Sequence, residues 1–183
     1  VQKTRILTLQ SRRFTSASDS KRGGDFTIIK CPDWINVIAL TKDQRVVMVE
    51  QFRYGTAQVT LEIPGGVVEA GEEPSQTCLR ELLEETGHAP ARTASVQGIE
   101  MIGKVSANPA INTNWVHTGI VREVERVREE LKLDEHEEIA VHLVPLADVP
   151  GLIRSGVIHH AFVVAAFQFL LLHGIENAPA PAH

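Results

Sequence analysis

The stretch from Gly66 to Gly87, G-V-V-E-A-G-E-E-P-S-Q-T-C-L-R-E-L-L-E-E-T-G, constrains this chain more than any other. It sets Glu72 beyond a glycine-rich turn, then Arg80, Glu81, Glu84 and Glu85 along one helical segment. Carboxylates spaced i, i+3 and i+4 share a helix face, with side chains close together. Left unpaired, like charges so close repel and destabilise the helix that carries them. A divalent cation removes that conflict, and Mg²⁺ or Mn²⁺ is the hard ion that suits an all-oxygen site. The pattern predicts a metal-binding helix.

The helix is bounded by its own signals. Pro74 falls in a first turn, the segment runs to about Thr86, and Gly87 is placed to cap it. Leu79, Leu82 and Leu83 form an apolar stripe, and Glu81, Glu84 and Glu85 are assigned to the other side. Before it, Pro64 favours extended backbone, and Gly65 and Gly66 allow positive φ or close backbone approach. That turn is either a plain tight turn or a cradle whose carbonyl adds a metal ligand.

Around this helix the pattern reads as strands with helices outside them. Thr4 to Gln10 predicts a first strand, Ser11 to Gly24 a long polar loop, and Asp25 to Ile29 a returning strand. A hairpin so small cannot bury its own face and must lean on something else, such as a second subunit. The main domain begins near Trp34, with strands over Ile35 to Leu40, Arg45 to Glu50 and Val59 to Ile63. Further strands are expected over Ala94 to Ile99, Trp115 to Val121 and Ile139 to Pro145. Helices are expected over Leu146 to Arg154 and from His159 to about Leu172, with a frayed tail from Asn177 to His183. The division is residues 1–33, 34–176 and 177–183, and the fold class is an α/β sandwich.

A formal net charge of -5 offers no basic field for nucleic acid or an anionic membrane, so local arginines and metal must attract an anionic substrate. Cys31 and Cys78 lack paired spacing, which fits a reducing compartment. No leader-like hydrophobic run opens the sequence, and the apolar run Ala161 to Leu172 is shorter than the roughly 20 residues that span a bilayer. The expectation is a cytoplasmic protein with no nucleic-acid or membrane partner.

Other charged and aromatic residues admit two readings each. Arg80 can pair with Glu84 at i, i+4 or reach a phosphate. Glu72 is a capping acid near the helix start or a neighbour of the metal. Asp134-Glu135-His136-Glu137-Glu138 is a solvated loop, or it supplies the base and the further ligand that metal-assisted hydrolysis needs. If extended, that segment points Glu135 and Glu137 the same way and His136 away. Gln51, Arg53 and Tyr54 follow Glu50, and Arg53 is a surface residue or a bidentate phosphate contact. Trp34, Phe26 and Phe52 are core or stack a base, and Trp115 is read as packing. The polar loop Asn108 to Asn114 contacts a ribose or simply connects two strands.

These residues together resemble the Nudix hydrolases, whose box is G, five residues, E, seven residues, R-E-U-x-E-E-x-G-U, with U bulky and apolar. Gly66, Glu72, Arg80, Glu81, Leu82, Glu84, Glu85 and Gly87 match it in register, and His88 departs at the last position. The segments P-D-W-I-N-V-I-A-L-T, Q-F-R-Y-G, L-E-I-P-G-G, A-N-P-A-I-N-T-N and D-E-H-E-E-I-A-V are similar to the branch that cleaves ADP-ribose and nucleoside-diphosphate sugars. The resemblance covers most of residues 3 to 172. It implies an α/β/α sandwich with a mixed sheet, an N-terminal β-hairpin extension, and a homodimer whose active sites are completed by both subunits. It also implies Mg²⁺, with Mn²⁺ as a substitute, held by the Gly65 carbonyl, Glu81 and Glu85, with Glu84 sharing or orienting the cluster. Glu137 is then a metal-associated acid and Glu135 the candidate base, beside Glu84 and Glu85 as catalytic acids. Arg53, Gln51, Arg80, Trp34 and Phe26 form the candidate substrate contacts. The implied reaction is hydrolysis of the pyrophosphate bond to a nucleoside monophosphate and a sugar phosphate. The alternatives are a nucleoside-triphosphate-sanitising pyrophosphatase and an inactive nucleotide-binding module, which would have no need to keep a repulsive acid cluster.

Overall fold

The computed structural model describes residues 1–4, 6–92, 98–133, 135 and 137–176, with residues 175 and 176 described by their backbone alone. The N-terminal strands β1 (Gln2–Lys3), β2 (Thr8–Thr15) and β3 (Gly23–Lys30) form an antiparallel sheet of their own. Half of the predicted loop over Ser11 to Gly24 is therefore strand, and residues 16–22 turn the chain. Cross-strand pairs hold it: Arg13 and Asp25 make a two-bond ion pair at 3.0 and 2.8 Å. Phe14 and Phe26 meet edge to face at 5.9 Å. Both faces of this ribbon are largely exposed, so the sequence carries no apolar alternation to reveal it.

The main sheet is built on β4 (Trp34–Thr41), which is buried at every position after its first. Such a run needs cover on both faces, and it has it. Strand β4 pairs in parallel with β10 (Trp115–Arg126) and antiparallel with β5 (Arg45–Arg53) and β7 (Gly65–Val67). The order is β11 (Ile139–Pro145), β5, β4, β10, β8 (His88–Pro90), with β6 (Gln58–Glu62) on β5 and β9 (Glu100–Ser106) on β10. Side chains alternate between two cores. Ile35, Val37 and Ala39 pack with Cys78 and Leu82 of α1 (Pro74–Thr86). Ile38 and Leu40 pack with Val149 of α2 (Val149–Arg154) and with Val163, Ala166 and Phe167 of α3 (Ala161–Glu176). The mixed α/β/α sandwich expected from the sequence is thus present. Among the described residues no helix is long and apolar enough to cross a membrane.

Several boundaries move. Strand β10 continues to Arg126, past a register shift at Glu123, whose φ is 52°. Of the strand expected over Ala94 to Ile99, residues 94–97 lie outside the described residues, and the strand found begins at Glu100. The expected helix at Leu146 divides into a 3₁₀ turn and α2, and α3 begins at Ala161 rather than His159. The tail 177–183 lies outside the described residues. Trp115, expected in the core, is 44% exposed, with the Lys104 ammonium 5.0 Å from its ring centre. The Asn108 to Asn114 loop clamps the N-terminal sheet: Ile29 N–H donates to the Ile111 carbonyl at 2.8 Å, and Thr113 N–H donates to that of Ile29 at 3.1 Å.

Helix α1 is delimited as the sequence indicates. Glu73 and Gln76 form a capping box, Pro74 opens the first turn, and Gly87 closes the last with φ 71° and an N–H bond to the Leu83 carbonyl. A Cβ on Gly87 would also overlap the Arg128 carbonyl oxygen. Gly87→Ala combines a left-handed backbone with that overlap, so it should destabilise the fold by roughly 1–3 kcal/mol. Thermal melting should show a midpoint several degrees lower; an unchanged midpoint would mean that the α1 terminus relaxes freely.

Candidate active site

The turn between β6 and β7 delivers Gly65 and Gly66 against α1. A Cβ on Gly66 would overlap the Glu81 carboxylate, so glycine is what lets that acid lie against the backbone. Gly65 N–H donates to Glu85 Oε2 at 3.0 Å. Glu85 is only 4% exposed. It shares the buried side of α1 with Cys78 and Leu82, seven and three residues back, which corrects the expectation that it faces away from the apolar stripe.

Arg80 answers the repulsion among the other acids. Its guanidinium makes two bonds to Glu72, both 3.0 Å. Further bonds reach Glu81 at 2.8 Å and Glu84 at 3.1 Å. The Arg80–Glu84 pairing is thus realised, and it is one of several. Lys132 closes on the far oxygen of Glu84 at 2.7 Å. These bonds hold Glu72 down to about 2, and although burial opposes it, Lys132 and Arg80 keep Glu84 below the ordinary range.

Glu81 and Glu85 behave in the opposite way. Burial lifts Glu81 to about 7, against the pull of Arg80 and with the charges of Glu84 and Glu137 adding to the rise. Burial and the charge of Glu81 raise Glu85 well above the ordinary value, and Glu137 adds to that too. Beside the glycine turn, Glu85 therefore has no ion-pair partner among the bonds described, and Glu81 has one that does not offset its burial. That donor set fits a hard divalent cation, which would relieve both burial and repulsion. Among the described residues no three His, Cys, Asp or Glu side chains are gathered closely enough to hold an ion by themselves. Glu135 is exposed on the loop before β11, and Asp134 and His136 lie outside the described residues.

On the other side, Arg53 is held flat. Its guanidinium lies 5.9 Å from the Trp34 ring centre and makes two bonds to Glu62, at 2.9 and 2.7 Å. Glu62, 2% exposed, also accepts from Thr60 at 2.6 Å and lies 2.7 Å from His160 Nδ1. Burial alone would raise this carboxyl, but the hydrogen bonds from Arg53, His160 and Thr60 hold it well below its ordinary value. Trp34, Arg53, Glu62, His160 and Phe162 line a cavity of about 460 Å³. Charges on Glu85 and Glu137 act on Arg53, which links this cavity to the acids of α1.

Glu62 and His160 were not foreseen. The signal for Glu62 was an acid inside the apolar run L-E-I-P; for His160, 98 residues away, there was none. Gln51 is buried in β5 opposite Thr60 and is not among the cavity-lining residues. Phe26 is half exposed on the separate N-terminal sheet, and Phe52 packs on Tyr54 at 5.4 Å.

The raised carboxyls have a consequence for stability. An unfolded glutamate titrates near 4.3, so above that pH the folded, metal-free chain binds more protons than the unfolded one. Stability due to Glu81 is therefore lost as pH rises from about 4.3 through about 7, with the last part of the loss above 7, and Glu85 acts in the same direction. His88, lowered by burial, weakens the fold only below its ordinary 6.5, so it does not interfere above pH 7. Chelator-treated protein should melt higher at about pH 7 than at about pH 8.5, and added Mg²⁺ should narrow the gap. A midpoint indifferent to both variables would contradict the charge assignment.

The NUDIX domain pattern matches residues 33–167. Over 145 residues the chain is 34% identical to the ADP-ribose pyrophosphatase of Bacillus subtilis (strain 168), covering 79% of this chain and 75% of that protein. Over the same length it is 30% identical to the methanol dehydrogenase activator of Bacillus methanolicus, with the same coverage. The ADP-ribose pyrophosphatase of Escherichia coli (strain K12) is 31% identical over 134 residues, covering 70% of this chain and 62% of that one. A crystal structure described as an ADP compounds hydrolase superposes with a TM-score of 0.80 over 98% of this chain and 92% of that one; at 18% identity this is a likeness of fold. With its acids on α1 and that domain pattern spanning most of its length, the chain belongs to the NUDIX family.

Proposed function

We propose that the chain hydrolyses the pyrophosphate bond of ADP-ribose or a related nucleoside-diphosphate sugar, giving a nucleoside monophosphate and a sugar phosphate. The observation that carries this reading is Glu85, buried with a backbone N–H as its hydrogen-bond partner, beside half-buried Glu81, whose single bond to Arg80 does not offset its burial, both at the Gly65–Gly66 turn, with the charge of Glu85 acting on Arg53. The names of the Bacillus subtilis and Escherichia coli relatives support the substrate class. Nudix hydrolases depend on divalent metal, and Mg²⁺, with Mn²⁺ as a substitute, is the ion proposed here. Glu81, Glu85 and the Gly65 carbonyl would hold it, with Glu137 as a further acid. When bound, the cation supplies a Lewis acid that activates water and offsets charge on the bridging and leaving oxygens.

The chain's own groups do the rest. Arg53 contacts the diphosphate through the edge of its guanidinium that Glu62 leaves open. Glu135, exposed two residues from Glu137, takes the proton from the attacking water. Glu84, tied by Arg80 and Lys132, keeps α1 and the loop before β11 in register. Trp34 offers a ring to the nucleoside. Half-exposed Phe14 and Phe26, with exposed Ile6, support a partner chain packing on the N-terminal sheet, which would bring Phe26 to the partner's site. Two free thiols, Cys31 and Cys78, are consistent with the cytoplasm.

Glu85→Gln is close to isosteric and removes a buried charge. It should nearly abolish turnover of ADP-ribose with Mg²⁺, while the metal-free protein melts no lower than wild type. Chromatography of products across ADP-ribose, ADP-glucose and GDP-mannose should find a nucleoside monophosphate and a sugar phosphate from at least one of them. Equal turnover by wild type and Glu85→Gln would rule the mechanism out.

A further inference from the structure

Each oxygen of the buried Glu62 carboxylate meets two partners. Oε1 accepts from Arg53 Nε at 2.9 Å and from Thr60 Oγ1 at 2.6 Å. Oε2 accepts from Arg53 Nη2 at 2.7 Å and lies 2.7 Å from His160 Nδ1. A carboxylate in a two-bond pair with a guanidinium is ionised and can only accept. His160 therefore carries a proton on Nδ1 and donates it to Glu62. Its main-chain carbonyl accepts from Val164 N–H at 3.1 Å, which fixes His160 at the head of α3.

We propose that His160 is a positioning residue for phosphate recognition: it locks Glu62, Glu62 sets the plane of Arg53, and Arg53 meets the substrate. The inference rests on the reading of Arg53 as the phosphate contact. A guanidinium offers five N–H groups in one plane, and Glu62 occupies Nε and one N–H of Nη2. The free edge, at Nη1 and the rest of Nη2, points wherever that plane points. The plane is fixed only if Glu62 cannot rotate about its last bond. Thr60 holds one oxygen and His160 the other; with His160 removed, Oε2 keeps a single donor at a site 2% exposed. The carboxylate then turns, Arg53 turns with it, and a misplacement of about an ångström at a binding group is enough to weaken recognition strongly. Trp34 stacks against the guanidinium and limits its tilt without setting its rotation.

Two amide substitutions separate this role from simple packing. His160→Asn places an N–H donor where Nδ1 stands, and His160→Gln places it where Nε2 stands, both at similar size. With the full chain, Mg²⁺ and ADP-ribose, the Asn variant should keep KM within about twofold of wild type, whereas the Gln variant should raise KM about tenfold and change kcat less than about threefold. Both should melt close to wild type. Adding His160→Gln to Arg53→Ala should raise KM no further, because the two act through one contact. Equal KM for the Asn and Gln variants, or a full tenfold effect persisting without Arg53, would overturn the proposal. Should wild type fail to hydrolyse ADP-ribose, the assigned reaction fails, and the clamp is judged by calorimetric binding of ADP. Weaker binding in the Gln variant alone supports it, and equal binding in both rejects it.

Discussion

Everything at this site depends on how one helix carries three acids, with Glu72 just before it as a fourth, without coming apart. Arg80 is the reason it can. Its guanidinium stands among Glu72, Glu81 and Glu84, and Lys132 joins from the loop before β11. Removing that guanidinium would leave three partly buried carboxylates facing one another on adjacent turns. Exposed pairs of this kind contribute little singly, but a network with two-bond geometry holds its members in place. With the outer acids satisfied, the inner two can be left in deficit. Glu85 lies on the buried side of α1, touched by one backbone N–H, and Glu81 lies against Gly66.

A second polar knot follows the reverse logic. Around Glu62 each carboxylate oxygen has two donors, so its charge is answered despite burial. The Arg53 charge is largely offset as a result, so its contribution rests on a fixed orientation more than on field strength. Arg53 belongs to the second knot and feels the charge of Glu85 from the first. One leaves negative charge in want of a cation, and the other aims a cation at an anion. A molecule bearing phosphate and metal together satisfies both.

Much of this was legible in the sequence, for identifiable reasons. The limits of α1 followed from Pro74 and Gly87, because those residues act locally through φ and steric fit. Strand β11 was expected over Ile139 to Pro145 and is found there, its run of aliphatic residues suiting a strand. The second part of β2, from Ser11 to Thr15, was hidden because a ribbon exposed on both faces writes no period-two signal. The side of α1 taken by Glu85 was misjudged because a charged residue was assumed to avoid the apolar stripe, and a site acid is where that assumption fails. His160 was invisible because its partner lies on another element, and no local rule links β6 to the head of α3.

The same deficit that suits Glu81 and Glu85 to a cation makes them a liability to the fold. Glu85, buried, and half-buried Glu81, whose charge raises Glu85 further, oppose folding when both are ionised. The sheet tolerates this because its two cores are nearly dry around β4, where Ile35, Val37, Ile38 and Ala39 are fully buried. Apolar burial on that scale can carry a local penalty of a few kcal/mol. A ligand that binds only the folded state returns stability in proportion to its occupancy. Metal binding and folding are therefore coupled through the same two side chains. The strain is confined to the end of α1 that meets the Gly65–Gly66 turn, so a cation can relieve it without rearranging either core.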